Sequence, residues 1–395
     1  MKIVSVVGLG VIGMSVLECL HKYYNLIGVD IKEDILNRCS KDYSDILFTT
    51  KTLPSDIFIV VVQTPLKEDN NPDLSFFWKA LKNITKVARP GNLVIINSTI
   101  PPNTMSKVEK LFISHGFTIG SNLYLTYCPE RILPGNNMIK EFRENTRIIS
   151  GDYTSCRKAE DLYNKITSSK KIFTSFINAE LIKLAENSYR DINIAFANEL
   201  AKISEHYNAN IKDIINIANL HPRVNIHNPG VGVGGHCIAV DPFFLISDCD
   251  TNRVLKTARA VNNSMPDYCC NKLSKLFPSF NKIAFFGLSY KPNVNDLRES
   301  PAVELVDKME YNGHTVKIYD PYINNKNDIY TACSGSDCIF IGCDHDYFKT
   351  LSLKELKLIK QRLNNNILIT PFLTQYDNFI KAGFTIHNIF DGKNN

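Results

Sequence analysis

The sequence lacks the long hydrophobic runs and the clustered basic residues that mark whole classes of protein. No apolar run approaches the ~18 residues that a membrane-spanning helix needs, and the apolar residues 1–20 carry no Ala-x-Ala-like cleavage site. The net charge is +5, yet the basic residues are dispersed and never form a run of five. We therefore expect a cytoplasmic protein that binds neither a membrane nor a nucleic acid, although phosphate-bearing ligands are permitted.

The number and spacing of the cysteines argue against both disulfide bonds and a structural zinc site. The chain has eleven cysteines, but none form a Cys-x-x-Cys pair, and the only neighbours are Cys269 and Cys270. An odd number of scattered cysteines without a secretion signal predicts thiols rather than a disulfide framework. The missing ligand spacing argues against a structural zinc site, so we expect no metal.

Glycines at the start of the chain form a nucleotide-binding pattern. A predicted buried strand is followed by Gly8, Gly10 and Gly13 in a Gly-x-Gly-x-x-Gly arrangement, then by a helical pattern, and the next predicted strand ends at Asp30. The glycines allow a pyrophosphate to approach the helix N-terminus, and Asp30 would accept hydrogen bonds from ribose hydroxyls. The pattern favours NAD, although Lys32 could meet a 2′-phosphate, and a tight turn without any ligand is the alternative.

Predicted strands and helices alternate at both ends of the chain, which is typical of parallel sheets covered on both faces. Neither Gly nor Pro occurs from Ala179 to Leu220, so we predict a long helix over 179–207 and a second helix over 210–220. A further helix is predicted over about 250–277. We expect an α/β protein with two Rossmann-like, doubly wound parallel-sheet domains joined by a central long-helix domain. The predicted domains are 1–176, 177–278 and 279–395.

The stretch NPGVGVGGHCIAVDP places flexible backbone directly before a thiol. Its glycines remove side chains from the backbone that leads to Cys237, which would allow a ligand to lie against the chain, and Asp241 follows shortly after. A cysteine taken alone is more often a small buried residue, and His236 could be a packing residue. The glycines are Gly230, Gly232, Gly234 and Gly235.

Polar residues on the long predicted helix form a second constellation. Lys183, Asn187 and Arg190 are spaced i, i+4, i+7 and share one helix face, although a solvated surface is the usual explanation of such a face. Lys291 and Arg298 follow a predicted strand and could be surface charges or ligands for phosphate.

Several motifs together resemble one family, in the same order over nearly the whole chain. They are GLGVIG, NSTIPP, YCPERILPG, ELIKLAENSYRDINIAFANEL, HPRVNIHNPGVGVGGHCIAVDP and FGLSYKPNVNDLRESPA. They resemble the UDP-glucose/GDP-mannose dehydrogenase family. The combination of PERILPG, HPRVN and GGHCIAVDPFFL looks most similar to its bacterial members that act on UDP-N-acetyl-D-mannosamine. The resemblance implies an NAD-dependent four-electron oxidation of that UDP-sugar at C6, for surface polysaccharide synthesis, by a homodimer or higher homo-oligomer.

The resemblance also implies roles for individual residues. Cys237 would be the nucleophile that carries the sugar as a thiohemiacetal and then as a thioester. Lys183 and Asn187 would stabilise the developing oxyanion, with Lys183 also transferring a proton, and Asp241 would position or activate water. The implied NAD contacts are Gly8, Gly10, Val11, Ile12, Gly13, Asp30, Thr64, Thr99, Glu130 and Arg298. The implied UDP-sugar contacts are Arg131, Ile132, Lys183, Asn187, Arg190, His221, Arg223, Gly234, Arg259, Tyr290 and Lys291.

Two departures from the family pattern and three alternative functions accompany this prediction. The segment after DIKEDILNRCS is shorter than in the family, which bears on NAD affinity, and Pro134 stands where UDP-glucose dehydrogenases carry a glutamate. The same chemistry on UDP-glucose, UDP-N-acetylglucosamine or UDP-N-acetylgalactosamine is the nearest alternative. A non-catalytic nucleotide-sugar or NAD sensor is another, and a two-electron hydroxyacid dehydrogenase, which would not need Cys237, is a third.

Overall fold

The computed structural model describes residues 1–132, 137–247, 249–323 and 327–391. Pro134 lies outside them. The chain divides into two compact units, of which the first comprises Met1–Glu186 with Phe243–Asp250 and the second Asn187–Pro242 with Thr251–Asn395. Among the described residues, no helix has both the length and the apolar character needed to cross a membrane.

The first unit is built on one eight-stranded sheet. Its strands are β1 (Ile3–Val7), β2 (Asn25–Val29), β3 (Leu47–Thr49), β4 (Ile57–Val60), β5 (Leu93–Ile96), β6 (Tyr124–Tyr127), β7 (Arg147–Ser150) and β8 (Lys171–Thr174). The strand order is β3-β2-β1-β4-β5-β6-β7-β8, and neighbours run parallel except for the antiparallel pair β6–β7. The helices are α1 (Val11–Leu20), α2 (Glu33–Asp42), α3 (Ser75–Val87), α4 (Thr104–Ser114), α5 (Met138–Glu144) and α6 (Tyr153–Asn164).

Both faces of this sheet are covered by apolar cores. In β4, Ile57 and Ile59 enter one core, whereas Phe58 and Val60 enter the core on the opposite face. Successive side chains of a strand point to opposite faces, so a strand buried on both sides is apolar at every position. The continuous apolar run IFIV is therefore the pattern expected of a strand buried on both faces.

The second unit contains a five-stranded parallel sheet. Its strands are β9 (Lys282–Phe286), β10 (Thr315–Tyr319), β11 (Cys338–Ile341), β12 (Ile367–Thr370) and β13 (Thr385–Asn388), in the order β10-β9-β11-β12-β13. The helices α12 (Pro301–Tyr311), α13 (Ile329–Cys333), α14 (Asp346–Thr350), α15 (Leu353–Lys360) and α16 (Asp377–Lys381) belong to the same half of the chain. Apolar cores cover both faces of this sheet too. Two covered sheets, parallel except for the pair β6–β7, confirm the predicted α/β fold class.

The helices between the sheets differ from the prediction in one place. Two helices, α7 (Phe176–His206) and α9 (Asp241–Ile246), cross the division between the units, whereas α8 (Ile211–Ala218), α10 (Arg253–Asn263) and α11 (Met265–Leu276) lie in the second unit. The prediction of one continuous helix over 250–277 is wrong, because α10 ends and α11 begins around Ser264. Pro266 lies in the first turn of α11, where its missing N–H is tolerated; inside a longer helix it would remove a hydrogen bond and clash with the preceding turn.

The three-domain division stays a prediction. The predicted boundary at residues 176 and 177 coincides with the start of α7, but the division between the compact units falls inside this helix, between Glu186 and Asn187. Because α7 contributes residues to both units, the two compact units do not coincide with the three predicted domains.

Candidate active site

The glycine-rich turn after β1 has three glycines with three different physical roles. Gly8 has a φ of +99°, and a Cβ there would lie 2.6 Å from the carbonyl oxygen of Val61. A Cβ on Gly13 would overlap the carbonyl oxygen of Gly8, so Gly13 allows α1 to pack closely against the turn. A Cβ on Gly10, in contrast, would meet no atom within 4 Å. Gly10 therefore faces open space that a ligand could fill.

The N-terminus of α1 and the end of β2 complete this arrangement. Gly10 is the N-cap of α1 and offers no side-chain cap, and Val11 after it is exposed, whereas Ile12 packs partly against the core. The Asp30 carboxylate accepts hydrogen bonds from the backbone N–H groups of Leu9, at 2.8 Å, and Lys32, at 3.0 Å. An uncapped helix N-terminus beside an open glycine and an oriented carboxylate fits the pyrophosphate and ribose of a dinucleotide.

The remaining predicted NAD contacts of the first unit follow the carboxyl ends of β4, β5 and β6. Thr64 Oγ1 donates a 2.8 Å hydrogen bond to the carbonyl oxygen of Thr99, so the structure brings these two residues together. Glu130 is buried, and its carboxylate accepts a hydrogen bond from the N–H of Arg131 at 2.8 Å. Ligands of open α/β sheets bind at the carboxyl ends of the strands, which is the edge at which these residues lie.

Arg147 is a residue of this region that the sequence analysis missed. Its guanidinium is buried, donates to Glu130 at 3.1 Å and to the carbonyl oxygen of Phe142 at 2.8 Å, and lies over the rings of Phe142 and Tyr163. Burial alone would lower the pKa of Arg147, but the charge of Glu130 raises it. Arg147 opens a strand far from Glu130 in sequence, so no local pattern pointed to the pair.

Two predicted sugar contacts of the first unit have local partners. The guanidinium of Arg131 pairs with Glu186 at 2.6 Å and donates to the carbonyl oxygen of Thr146 at 2.8 Å. Ile132 is buried in the core of the unit. Of the predicted helix face Lys183, Asn187 and Arg190, Lys183 lies in this unit, where it is 8 % exposed on α7. Their contacts with substrate stay predictions.

In the second unit, the glycines before Cys237 pack against protein. A Cβ on Gly232 would lie 3.0 Å from the carbonyl oxygen of Asn262, and a Cβ on Gly234 would overlap the carbonyl oxygen of Glu299. The prediction that these missing side chains make room for a ligand is therefore wrong at both positions, because neighbouring backbone occupies the space. Gly234 as a sugar contact stays a prediction.

The next glycine fixes a loop beside the thiol. Gly235 has a φ of +81° and donates its N–H to the carbonyl oxygen of Arg298 at 3.1 Å, while the ring of Tyr290 occupies the place of a Cβ. Burial raises the pKa of Tyr290, and the charge of Cys237 raises it further. The structure thus brings Tyr290 and the Arg298 backbone to the segment that carries Cys237. Arg298 itself forms a bidentate pair with Asp296.

Cys237 lies at the start of a turn that leads into α9. It is exposed, whereas nine of the other cysteines are buried, and only Cys249 shares its exposure. The carbonyl oxygen of Cys237 accepts the N–H of Asp241 at 2.8 Å, and the buried Asp241 carboxylate accepts a 2.5 Å hydrogen bond from Asn187 Nδ2. The structure therefore brings together Cys237, Asp241 and Asn187. An exposed thiol, followed within one turn by a carboxylate that an amide donor holds, supplies the residue types suited to nucleophilic chemistry on a carbonyl.

The other predicted sugar contacts of this unit differ in exposure. His221 and Arg223 are exposed, and the Arg223 N–H donates to His221 Nδ1 at 3.3 Å. Arg190 and Lys291 are partly buried. Arg259 is 5 % exposed and its guanidinium is committed to the buried carboxylate of Asp191 at 2.6 Å. His227, which the sequence analysis did not select, has its pKa lowered by burial and by the charge of Arg190.

Three family models match consecutive parts of the chain. The UDP-glucose/GDP-mannose dehydrogenase family NAD binding domain matches residues 35–167, its central domain residues 177–264, and its UDP binding domain residues 284–371. Among curated proteins, the chain is 38 % identical to a UDP-N-acetyl-D-mannosamine dehydrogenase of Methanococcus maripaludis, over 99 % of this chain and 97 % of the relative. It is 36 % identical to an NDP-N-acetyl-D-galactosaminuronic acid dehydrogenase of Ralstonia solanacearum, over 90 % of this chain and 94 % of the relative.

Solved structures agree with this match. The structure of a UDP-D-ManNAc dehydrogenase from Pyrococcus horikoshii superposes with a TM-score of 0.89 at 33 % identity, covering 99 % of both chains. The first unit supplies a dinucleotide turn, and the second an exposed thiol with an amide and a carboxylate. The chain belongs to the UDP-glucose/GDP-mannose dehydrogenase family, as an NAD-dependent UDP-sugar dehydrogenase.

Proposed function

We propose that the chain oxidises UDP-N-acetyl-D-mannosamine at C6 to UDP-N-acetyl-D-mannosaminuronate, in the cytoplasm, for a surface polysaccharide. The observation that carries the proposal is the exposed thiol of Cys237. The turn after Cys237 leads to Asp241, whose carboxylate accepts a hydrogen bond from Asn187. End-to-end similarity to relatives named for this sugar supports the choice of substrate.

The thiol of Cys237 makes a four-electron oxidation possible. Two NAD molecules, bound one after the other, would each accept one hydride, one for each oxidation step. Loss of a hydride and a proton from the C6 alcohol leaves an aldehyde, to whose carbon the Cys237 thiolate adds, forming a carbon–sulfur bond and a tetrahedral thiohemiacetal. Loss of a second hydride and proton gives a thioester. Water then attacks the thioester carbon, the carbon–sulfur bond breaks, and the carboxylate leaves with Cys237 restored.

The neighbours of Cys237 match the needs of these steps. The Asn187 amide is a donor suited to the oxyanion that develops when sulfur adds to the aldehyde. The Asp241 carboxylate is suited to orienting and deprotonating the water that attacks the thioester. For Lys183 we propose stabilisation of the same oxyanion together with proton transfer, on the strength of the family match.

A second candidate keeps the chemistry and changes the sugar. The Ralstonia solanacearum relative is named for an N-acetyl-D-galactosaminuronic acid, which supports a 2-acetamido sugar of another configuration. UDP-glucose and UDP-N-acetylglucosamine complete the alternatives for the same site, and a non-catalytic binding protein is the alternative of another class.

The test is the yield of NADH per mole of sugar on a panel of four UDP-sugars. We expect two NADH per UDP-N-acetyl-D-mannosamine. The Cys237→Ala variant should not complete the second oxidation, whereas Cys249→Ala, which removes the other exposed thiol, should keep the full yield. One NADH per sugar from the unmodified chain would indicate a two-electron dehydrogenase, and NAD binding without NADH on any sugar would indicate a binding protein.

We also propose that the chain acts as a homodimer or higher homo-oligomer through α7. Within the second unit, this helix exposes Tyr189, Phe196 and Ile203, which recur at heptad spacing and form an apolar stripe. Such a stripe is typical of a helix that packs against a second helix. Sedimentation of a Phe196→Glu variant tests this proposal, since an unchanged oligomeric state would contradict it.

A further inference from the structure

A chain of buried side chains holds the backbone where the glycine-rich stretch begins. The N–H of Gly230 donates to Asn198 Oδ1 at 2.9 Å, and Asn198 Nδ2 donates to Asn262 Oδ1 at 2.9 Å. Asn262 Nδ2 in turn donates to the carboxylate of Asp191 at 2.8 Å and to its carbonyl oxygen at 3.0 Å. The Asp191 carboxylate also accepts from Arg259 at 2.6 Å. These five residues lie in the second unit and form the loop-anchoring chain.

The hydrogen bonds of the loop-anchoring chain can run in only one direction, from donor to acceptor. A backbone N–H at one end can only donate, and the carboxylate of Asp191 at the other end can only accept while it is ionised. Both intervening amides must therefore point their oxygen toward Gly230 and their nitrogen toward Asp191. Asn198 and Asn262 are at most 1 % exposed, so water cannot replace a lost partner.

The backbone between Gly230 and Cys237 is held by further contacts. Two residues after Gly230, Gly232 lies against the carbonyl of Asn262, and Gly235 is bonded to the Arg298 carbonyl. Between Gly230 and Gly235, the backbone thus lies against neighbouring backbone at Gly232 and Gly234, and Cys237 lies in the turn that follows. We therefore expect a displacement at Gly230 to reach Cys237, because contacts at Gly232 and Gly235 tie the intervening backbone to its neighbours.

We propose that Asn198 is a positioning residue for Cys237, acting through Gly230 and the loop-anchoring chain, and that Arg259 serves this chain rather than the sugar. The proposal rests on the proposed function, in which Cys237 must reach the aldehyde before the aldehyde escapes. A misplacement of about 1 Å can cost up to about 100-fold in rate. Loss of Asn198 should therefore slow the step in which Cys237 adds to the aldehyde.

The closing experiment compares Asn198→Asp with Asn198→Ala. In Asn198→Asp, an ionised oxygen would face the Asn262 oxygen, and Asn262 cannot turn because its nitrogen serves Asp191. Once protonated, the new carboxyl group donates to Asn262 and accepts from Gly230, as the amide did. Burial and the Asp191 carboxylate favour the protonated form of the new group and Arg259 opposes it, so the two variants are compared from about pH 5 to pH 9.

Two readouts separate positioning from general damage. The first is the number of NADH per sugar, with released aldehyde trapped by semicarbazide. For Asn198→Ala we expect a kcat about 10- to 100-fold lower, a yield that falls from two toward one, and trapped aldehyde. For Asn198→Asp we expect the same defect at high pH and recovery toward the unmodified yield as the pH falls. The second readout is hydrogen exchange of the amides over 228–235, which should quicken in both variants at high pH.

A matched control is Asn378→Ala, which removes an amide that donates to the carbonyl oxygen of Leu351 at 3.0 Å in the same unit. It should leave the NADH yield unchanged. Equal pH profiles for the two Asn198 variants, or faster exchange over 228–235 with no loss of yield, would overturn the proposal. If the unmodified chain itself yields one NADH, the proposed function fails, while hydrogen exchange still reports on the loop-anchoring chain.

Discussion

Replacing Asp320 by asparagine removes a buried carboxylate that organises the loop after β9. One carboxylate oxygen accepts hydrogen bonds from the N–H groups of Leu288, at 2.7 Å, and Ser289, at 3.1 Å, and from His345 Nε2 at 3.1 Å. The other accepts the N–H of Tyr322 at 2.8 Å. His345 Nδ1 accepts a backbone N–H, so its Nε2 carries the proton that it donates to Asp320.

These donors set the magnitude of the expected effect. Burial alone would raise the pKa of Asp320, but the hydrogen bonds from His345 and Tyr322 lower it from 3.8 to about 2. A shift of this size corresponds to about 2 kcal/mol of stability. Because the pKa is lower in the folded state, this stability is present above pH 3.8 and is lost as the pH falls toward 2. About half of it, roughly 1 kcal/mol, should be lost by pH 3.

The assay is hydrogen exchange of peptides from β9 and β10, which reports the opening of the second unit by itself. At pH 7, Asp320→Asn should lower the free energy of opening by at least about 2 kcal/mol, since the amide also turns a donor toward existing donors. The difference from the unmodified chain should shrink by roughly 1 kcal/mol at pH 3. Asp307→Asn, at an exposed position on α12, is the matched control. A difference that does not change with pH would refute the argument.

Two further predictions concern the first unit. Gly10→Ala should weaken NAD binding at least about 10-fold by calorimetry but leave thermal stability unchanged, because its Cβ enters open space. Gly13→Ala should also lower thermal stability, because its Cβ overlaps the Gly8 carbonyl oxygen. Equal thermal stability of the two variants would contradict this reasoning. Arg147→Met should lower the free energy of opening by about 3–5 kcal/mol, measured by hydrogen exchange of β6 and β7, because it leaves the buried Glu130 carboxylate without its cation. The control Arg157→Met, at a half-exposed ion pair, should change this free energy little.

The two parallel sheets could be predicted because their strands carry the pattern locally. Apolar runs mark β1, β4, β9 and β11, and a glycine follows three of them directly, at Gly8, Gly287 and Gly342. The absence of Gly and Pro predicted α7. The break between α10 and α11 was missed although Pro266 signals it, since an amphipathic pattern runs on both sides of it. The turn of Gly8 and Asp30 recurs as Gly287 and Asp320, with the same Leu N–H bonded to the acid in each sheet. In sequence, the two copies share the Gly-Leu pair and the acid, but the second copy lacks the other two glycines of the first.

The sequence by itself determined which chemistry-bearing residues are present: a dinucleotide turn, one thiol after a glycine-rich stretch, and an asparagine on a long helix. Local spacing is enough for these, because a turn and a helix are set by neighbouring residues. Only the tertiary structure decided that the glycines admit neighbouring backbone, that Asn187 holds Asp241, and that Arg259 pairs with Asp191. Those contacts join residues tens of positions apart, and a buried polar group finds its partner through packing that no local pattern encodes.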